Sequence, residues 1–249
     1  MKKHRFLFIL SLLVLVHACD RPSEAQKIVD LAIEAHGGEA YAESKIEFDF
    51  RDIHYRIQKT KDSFEYSREF QDSLGQIKDV LNNSGFVRTR NGVKVDTLTE
   101  ERIGAFSRSV NSVAYFAFLP YGLNDPAARK QYLGETSLNG ERYHLIRVTF
   151  EQEGGGEDFD DVFLYWIGVA DYFVDFMAYS YHTDGGGVRL REVSKVQEIG
   201  GIRFQNYLNF KPENNDTPVD QMQALYESGK LELLSEINLE NIKVSPLNR

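Results

Sequence analysis

Apolar positions along the chain switch between two periods. Across residues 24–35 they recur at three and four, which puts Ala25, Ile28, Val29, Ala32 and Ile33 on one helical face. Ser23 with Gln26 forms a capping box ahead of that run, and Gly37-Gly38 supplies a left-handed stop after it. A weaker helical turn is expected over 39–44. From Ile46 the period drops to two: Ile46, Phe48 and Phe50 occupy even positions, Ile53, Tyr55 and Ile57 odd ones. That switch at Arg51-Asp52 predicts a β-bulge inside one long, bent strand. Strands follow around 64–70 and 77–81, and the sequences Asn82-Asn83-Ser84-Gly85 and Asn91-Gly92 signal hairpins.

Helical spacing returns with Ile103, Phe106, Val110, Val113 and Ala117. Thr97 and Glu100 form a second capping box for this helix, which spans 99–118 and breaks at Pro120. Its last turns, 113–119, are apolar nearly all round, so this end is expected to be deeply buried. Strands then resume at 132–138 and 142–151 around Asn139-Gly140, at 162–167 and 172–181, and at 188–199 and 202–210 around Gly200-Gly201. A short helix at 219–227 precedes a last strand, 231–244, whose phase changes between Leu239 and Ile242. About eleven strands and three substantial helices, joined by sequential hairpins, predict an α+β domain with one large antiparallel sheet and helices gathered on one face.

The first eighteen residues follow neither pattern. Lys2, Lys3 and Arg5 are followed by an apolar run over 6–16, too short for a membrane span, and then by Val16-His17-Ala18-Cys19. A lipoprotein-processing peptidase requires an apolar residue at −3, a small one at −1 and a cysteine to carry the thioether lipid. Val16, Ala18 and Cys19 meet those requirements. Cys19 is also the one cysteine in 249 residues, so no disulfide framework competes for it. The expected organisation is a signal peptide at 1–18, a lipidated tether at 19–22 and a single domain at 23–249. The acyl chains on Cys19 would hold the protein to a membrane, with the outer membrane the expected location, on its periplasmic side or at the cell surface.

Cleavage removes three positive charges and moves the formal charge from −9 to −12. So acidic a chain, with no basic and aromatic cluster to offset it, excludes nucleic acid as a partner. Candidate chemistry is sparse. His36 sits at a helix end, where a positive ring would complement the dipole. His54, His144 and His182 lie in or beside strands, none at metal-ligand spacing. No nucleophile elbow, P-loop or dinucleotide fingerprint is present. The acidic stretch ending Phe159-Asp160-Asp161 lacks the order of an EF-hand loop and reads as a solvated, mobile loop without metal. The chain is therefore expected to be non-enzymatic, with no cofactor. Aromatic content is more informative: 17 Phe and 13 Tyr make up most of a 12% share. In the late strands both faces carry large apolar groups, since Phe163, Tyr165 and Ile167 alternate with Leu164 and Trp166. Either helices cover a wide sheet completely, or they leave an apolar cavity.

The order of a helix ending Ala35-His36-Gly37-Gly38, a run of strands, a mid-chain helix and a second run of strands resembles the lipoprotein-carrier half-barrels of the LolA and LolB kind. Three segments are similar to an uncharacterised lipoprotein family of Bacteroidota: Tyr115-Phe116-Ala117-Phe118-Leu119-Pro120-Tyr121, Asp160-Asp161-Val162-Phe163-Leu164-Tyr165-Trp166-Ile167 and Gly201-Ile202-Arg203-Phe204. The resemblance implies a curved, half-barrel-like sheet with helices on its concave face, around space for acyl chains. The ligand-lining candidates are Phe106, Val110, Val113, Phe116, Trp166, Phe176 and Phe204. A carrier of a lipid or acyl chain is the first functional expectation; an envelope accessory protein working through protein contacts, with no ligand cavity, is the alternative. Cys19→Ser is expected to abolish lipid labelling, because serine cannot form the thioether. Acyl labelling that persisted in the variant would end the lipoprotein reading.

Overall fold

The computed structural model describes residues 22–153 and 159–247. The expected signal peptide, Cys19 and most of the expected tether lie outside the described residues. Helix α1 (Glu24–Ala35) starts at Ser23, whose hydroxyl accepts the Gln26 N–H at 3.1 Å, as the capping box requires. Six strands follow: β1 (Ser44–Phe50), β2 (Ile53–Lys59), β3 (Phe64–Asp72), β4 (Gly75–Asn82), β5 (Gly85–Arg90) and β6 (Val93–Lys94). Helix α2 (Glu100–Ala117) leads into β7 (Ala128–Leu138), β8 (Glu141–Phe150), β9 (Val162–Gly168), β10 (Val174–Tyr181), β11 (Gly187–Ile199) and β12 (Ile202–Lys211). Short helix α3 (Met222–Glu227) precedes β13 (Glu232–Ile237) and β14 (Glu240–Pro246).

The antiparallel α+β class stands, in two seven-stranded sheets rather than one sheet of about eleven strands. The first runs β14-β1-β2-β3-β4-β5-β6 and the second β13-β12-β11-β10-β9-β8-β7. Part of the larger count comes from the expected bent strand at 46–57, which is a hairpin. Arg51, at φ 55°, turns the chain with Asp52, and Phe50 pairs with Ile53. The hairpins at Asn91-Gly92 and Asn139-Gly140 form as expected, with both asparagines left-handed. The weak helical turn expected at 39–44 forms as a short 3₁₀ segment, Gly38–Ala40, continued by the Ala42 and Glu43 N–H groups, which both donate to the Glu39 carbonyl. The cap of α2 is Thr99, bonded to the Arg102 N–H, and not Thr97.

The phase change in the last strand marks where it leaves one sheet for the other. β13 pairs with β12, and after Asn238-Leu239 the chain enters the first sheet as β14 beside β1. At that crossing the Leu239 backbone has no ladder partner. Its N–H donates to the buried Asn206 Oδ1 at 3.0 Å, and its carbonyl accepts from Gln197 Nε2 at 3.0 Å. A buried backbone group left unmet costs about 1–3 kcal/mol, so these two amides make the crossing tolerable.

Three apolar clusters fill the fold. The inner face of the second sheet packs Ile146, Val148, Phe163, Tyr165 and Ile167 against α1. The inner face of the first sheet packs Ile46, Phe48, Ile57 and Tyr66 against α2, together with Ile202 and Phe204. The outer face of the second sheet buries Leu164, Trp166, Phe176 and Ala178 under Met222 of α3.

His36 ends α1 inside this packing and is fully buried. Its Nδ1 faces the Ala32 carbonyl at 2.8 Å, its own carbonyl accepts the Arg203 N–H at 2.9 Å, and its ring meets Phe173 edge-on. The next residue must be glycine: Gly37 has φ 126°, and a Cβ there would lie 2.6 Å from the Gly201 carbonyl oxygen. The ring is therefore not the exposed cation that would complement the helix dipole. Burial pushes its pKa down to about 4, so the folded ring is neutral. The unfolded ring, at about 6.5, binds a proton over the window between the two values. Stability from this group is complete above pH 6.5 and falls as pH drops towards 4, by on the order of 3 kcal/mol. The melting temperature is expected to decline across that window, and His36→Gln to flatten the decline. Equal slopes in the two proteins would assign the effect elsewhere.

Candidate functional site

Helix α2 touches both inner faces. Its buried side chains are Val110, Ala114 and Ala117, a narrow stripe set on β3 and β4. Polar contacts fix its first half. Asp79, fully buried on β4, accepts Arg68 Nε at 2.8 Å and Arg88 Nε and Nη2 at 2.6 and 2.7 Å. Arg68 then donates from Nη1 to Ser109 Oγ at 2.6 Å, and the Arg88 guanidinium lies 3.6 Å from the Phe106 ring centroid. A desolvated cation over an aromatic face is worth up to about 2 kcal/mol.

The second half of α2 reaches the other sheet. The Tyr115 hydroxyl is 2.8 Å from that of Tyr165 on β9, and the Tyr115 ring packs on Phe150 and Phe163. Phe116 sits 5.3 Å from the Tyr179 ring of β10 and receives the Arg191 guanidinium of β11 at 3.6 Å. Past the helix, Phe118 is buried among Tyr41, Tyr66 and Tyr121. The end of α2 is thus buried through Ala114, Ala117, Phe118 and Leu119, while Val113, Tyr115 and Phe116 stay half-buried.

The expected ligand-lining residues do not form one set. Val110, Val113 and Phe204 share the cluster between α2 and the first sheet. Phe106 lies at the outer part of that helix against Phe86, and Phe116 lies on the inner face of the second sheet. Trp166 and Phe176 are on the opposite, outer face. Trp166 Nε1 donates to Gln223 Oε1 of α3 at 3.0 Å, and Phe176 packs edge-on to Tyr143 and Tyr226. Alternation had already set Trp166 apart from Tyr165, but a bulge between Val174 and Phe176 turns two residues of one parity to opposite faces. The inner face instead carries Phe163, Tyr165, Tyr179 and Tyr207, which were not among the ligand-lining candidates, with Tyr115 of α2 packed on them and Arg191 buried beside them.

A cleft of about 530 Å³ opens at the rim of the first sheet beside Ala42, Gln58, Lys59 and Leu247. A groove of about 340 Å³ on the outer face of the second sheet is lined by Tyr143, Asp175, Glu192, Lys195 and Arg203. Burial holds the Asp175 carboxyl above its usual range there. Neither space is the aromatic interior.

The four histidines among the described residues take separate roles. His54 Nδ1 bonds Asp49 at 2.7 Å, and His144 stacks on Tyr172. His182 approaches Asp160 at 3.4 Å and Asp161 at 3.7 Å. Among the described residues no serine or threonine hydroxyl bonds any of these rings, and the hydroxyl that meets one is that of Tyr132, 3.3 Å from His144 Nδ1. Donor atoms of Asp160, Asp161 and His182 come within 4.8 Å of one another, a convergence that linear spacing did not reveal. Asp161 is buried, unlike the exposed carboxylate expected of that loop, whose residues 154–158 lie outside the described residues. Three donors that include a ring nitrogen make a poor calcium site, which takes six to eight oxygens. Calcium at 1 mM is expected to leave the melting temperature unchanged to within about 1 °C, whereas a bound ion would raise it by mass action. A saturable rise of several degrees would overturn this.

No curated protein matches the chain. Among solved structures it is similar to a LolA superfamily protein from Nitrosomonas europaea, at 12% identity over 91% of this chain and 96% of that one, with a TM-score of 0.48. A DUF1329 family protein from Desulfovibrio piger matches at 9% identity over 89% and 93% of the two chains, with a TM-score of 0.42. A putative outer membrane lipoprotein-sorting protein domain from Vibrio parahaemolyticus matches at 9% identity over 89% and 93%, with a TM-score of 0.41. A family model described as a family of unknown function, DUF6503, matches residues 3–239.

Proposed function

The chain belongs to the DUF6503 family, whose function is unknown, and on that footing we propose that it is a non-enzymatic envelope lipoprotein. In this reading it is anchored through Cys19 at the outer membrane and binds or carries an apolar ligand, such as a lipid or a lipoprotein acyl chain, beneath α2. One observation carries the reading. An 18-residue helix packs on the aromatic inner faces of both sheets while burying only Val110, Ala114 and Ala117 of its own and leaving Val113, Tyr115 and Phe116 half-buried. One Val and two Ala supply little apolar anchoring, since a whole Val is worth about 1.5–3 kcal/mol. Polar and ring contacts provide much of the remaining hold. Such a helix is a lid: when it lifts, cargo takes the place of its side chains. The lining in this reading is Phe106, Val110, Val113, Phe116 and Phe204, with Trp166 and Phe176 excluded by their position on the outer face.

A second reading, contact with another envelope protein and no ligand, is favoured by edge strand β13, where Leu233 and Leu234 are 49% and 44% exposed. A neutral probe separates the two. A pyrene-labelled fatty alcohol is expected to bind saturably, near one per chain. Ser109→Ala, which removes the Arg68 contact to α2, is expected to tighten apparent binding about fivefold, as loss of about 1 kcal/mol from the closed state allows. Absence of saturable binding, or weaker binding by a folded Ser109→Ala protein, would overturn the lid reading.

A further inference from the structure

Among the described residues, two arginines on the inner face of β11 have no carboxylate partner. Arg189, half-buried, donates Nη2 to the Tyr181 hydroxyl at 2.7 Å and Nη1 to the Val188 carbonyl at 2.8 Å. Two residues deeper, Arg191 is only 8% exposed. Its Nη2 donates to the Tyr179 hydroxyl at 2.9 Å, its guanidinium lies 3.6 Å from the Phe116 ring centroid, and its buried Nε has no partner. Arg68 is equally buried, yet it rests on the Asp79 carboxylate. Among the described residues no carboxylate oxygen comes within ion-pairing distance of Arg189 or Arg191.

A guanidinium cannot discharge itself by losing its proton, and a buried charge normally has a counter-charge. The surrounding phenols do not supply one. Burial pushes the Tyr165 and Tyr207 hydroxyls well above their ordinary range, so both remain neutral. What covers Arg191 is Phe116, a side chain of the helix read above as a lid. Lifting α2 would withdraw that ring and leave a cation at the floor of an apolar face with one N–H already unsatisfied.

We propose that the site beneath α2 takes a single-chain amphiphile with an oxyanion head group, seated on Arg191 and the Tyr179 hydroxyl, its tail lying along Phe163 and Tyr165; this deepens the lid reading and rests on it. Carboxylate and phosphate monoester share the planar or near-planar oxygen pair that a guanidinium binds through two N–H groups. Arg189, nearer the strand end, offers the same head group a first contact on entry. The incoming anion replaces the face of Phe116 and satisfies Nε.

Calorimetric titration of the purified full chain with decanoate, decyl phosphate and 1-decanol tests this. The unmodified protein is expected to bind either anion at least tenfold more tightly than 1-decanol; the tighter of the two identifies the head group as carboxylate or phosphate. Arg191→Met is expected to erase the preference and keep 1-decanol binding, and Arg191→Lys to retain part of it. Tyr179→Phe, a milder change, should lower the preference two- to threefold, which keeps a variant in hand if Arg191→Met does not fold. Equal binding of decanoate, decyl phosphate and 1-decanol by the unmodified protein overturns the head-group inference and leaves the lid reading standing. So does a preference that survives Arg191→Met. Failure of all three ligands to bind overturns the lid reading and this inference together.

Discussion

The fold depends on one backbone crossing. Between β13 and β14 the chain quits the edge of one sheet and becomes the edge of the other, and for Leu239 neither ladder supplies partners. Buried peptide groups are almost always satisfied, and here the side-chain amides of Asn206 and Gln197 satisfy them. That arrangement lets one chain segment join the edges of both seven-stranded sheets, beside the packing of Ile202 and Phe204 into the first sheet's cluster. With it, Asn241 can reach back to Asp49 of β1 at 2.7 Å, and the inner faces are held towards a common interior.

Into that interior go α1 and α2, on different terms. α1 buries a full face of five apolar side chains on the second sheet and ends in a buried, neutral His36. α2 buries a thinner stripe and is positioned by charge: one carboxylate, Asp79, organises two arginines that hold Ser109 and Phe106. Buried ion clusters contribute little net stability because desolvation opposes them. Their geometry fixes where the helix sits more than how strongly. The strands pair with one another and not with α2, so the sheet ladders themselves do not run through this helix.

Much of this was legible from local signals. Ser23, the Asn-Gly turns and the spacing of α2 each declare themselves within a few residues. What failed needed pairing information. An even-to-odd phase switch arises equally from a bulge and from a two-residue turn, and Arg51 carries none of the glycine or asparagine signature that would separate them. The phase change after Leu239 was visible, but its meaning as a change of sheet depends on β1 and β12, distant in sequence. The site was hardest. Trp166 and Tyr165 were assigned to opposite faces, yet nothing local says which face a helix 50 residues earlier will take. Phe176 was misplaced by a bulge, and Arg191, between Leu190 and Glu192, has the look of an ordinary surface arginine in a strand.

The pairing of Ser44 with Pro246 and Ile46 with Val244 has a consequence in time. β1 is among the first strands made and its outer neighbour is the last. Until the end of the chain arrives, β1 offers an open row of N–H and carbonyl groups, the kind of edge that recruits wrong partners. Contacts so distant in sequence are slow to form, because loop closure is paid in entropy before any contact compensates it. Chaperone protection would therefore matter most over the interval between the emergence of these two strands, and a chain truncated before β14 would retain that open edge permanently.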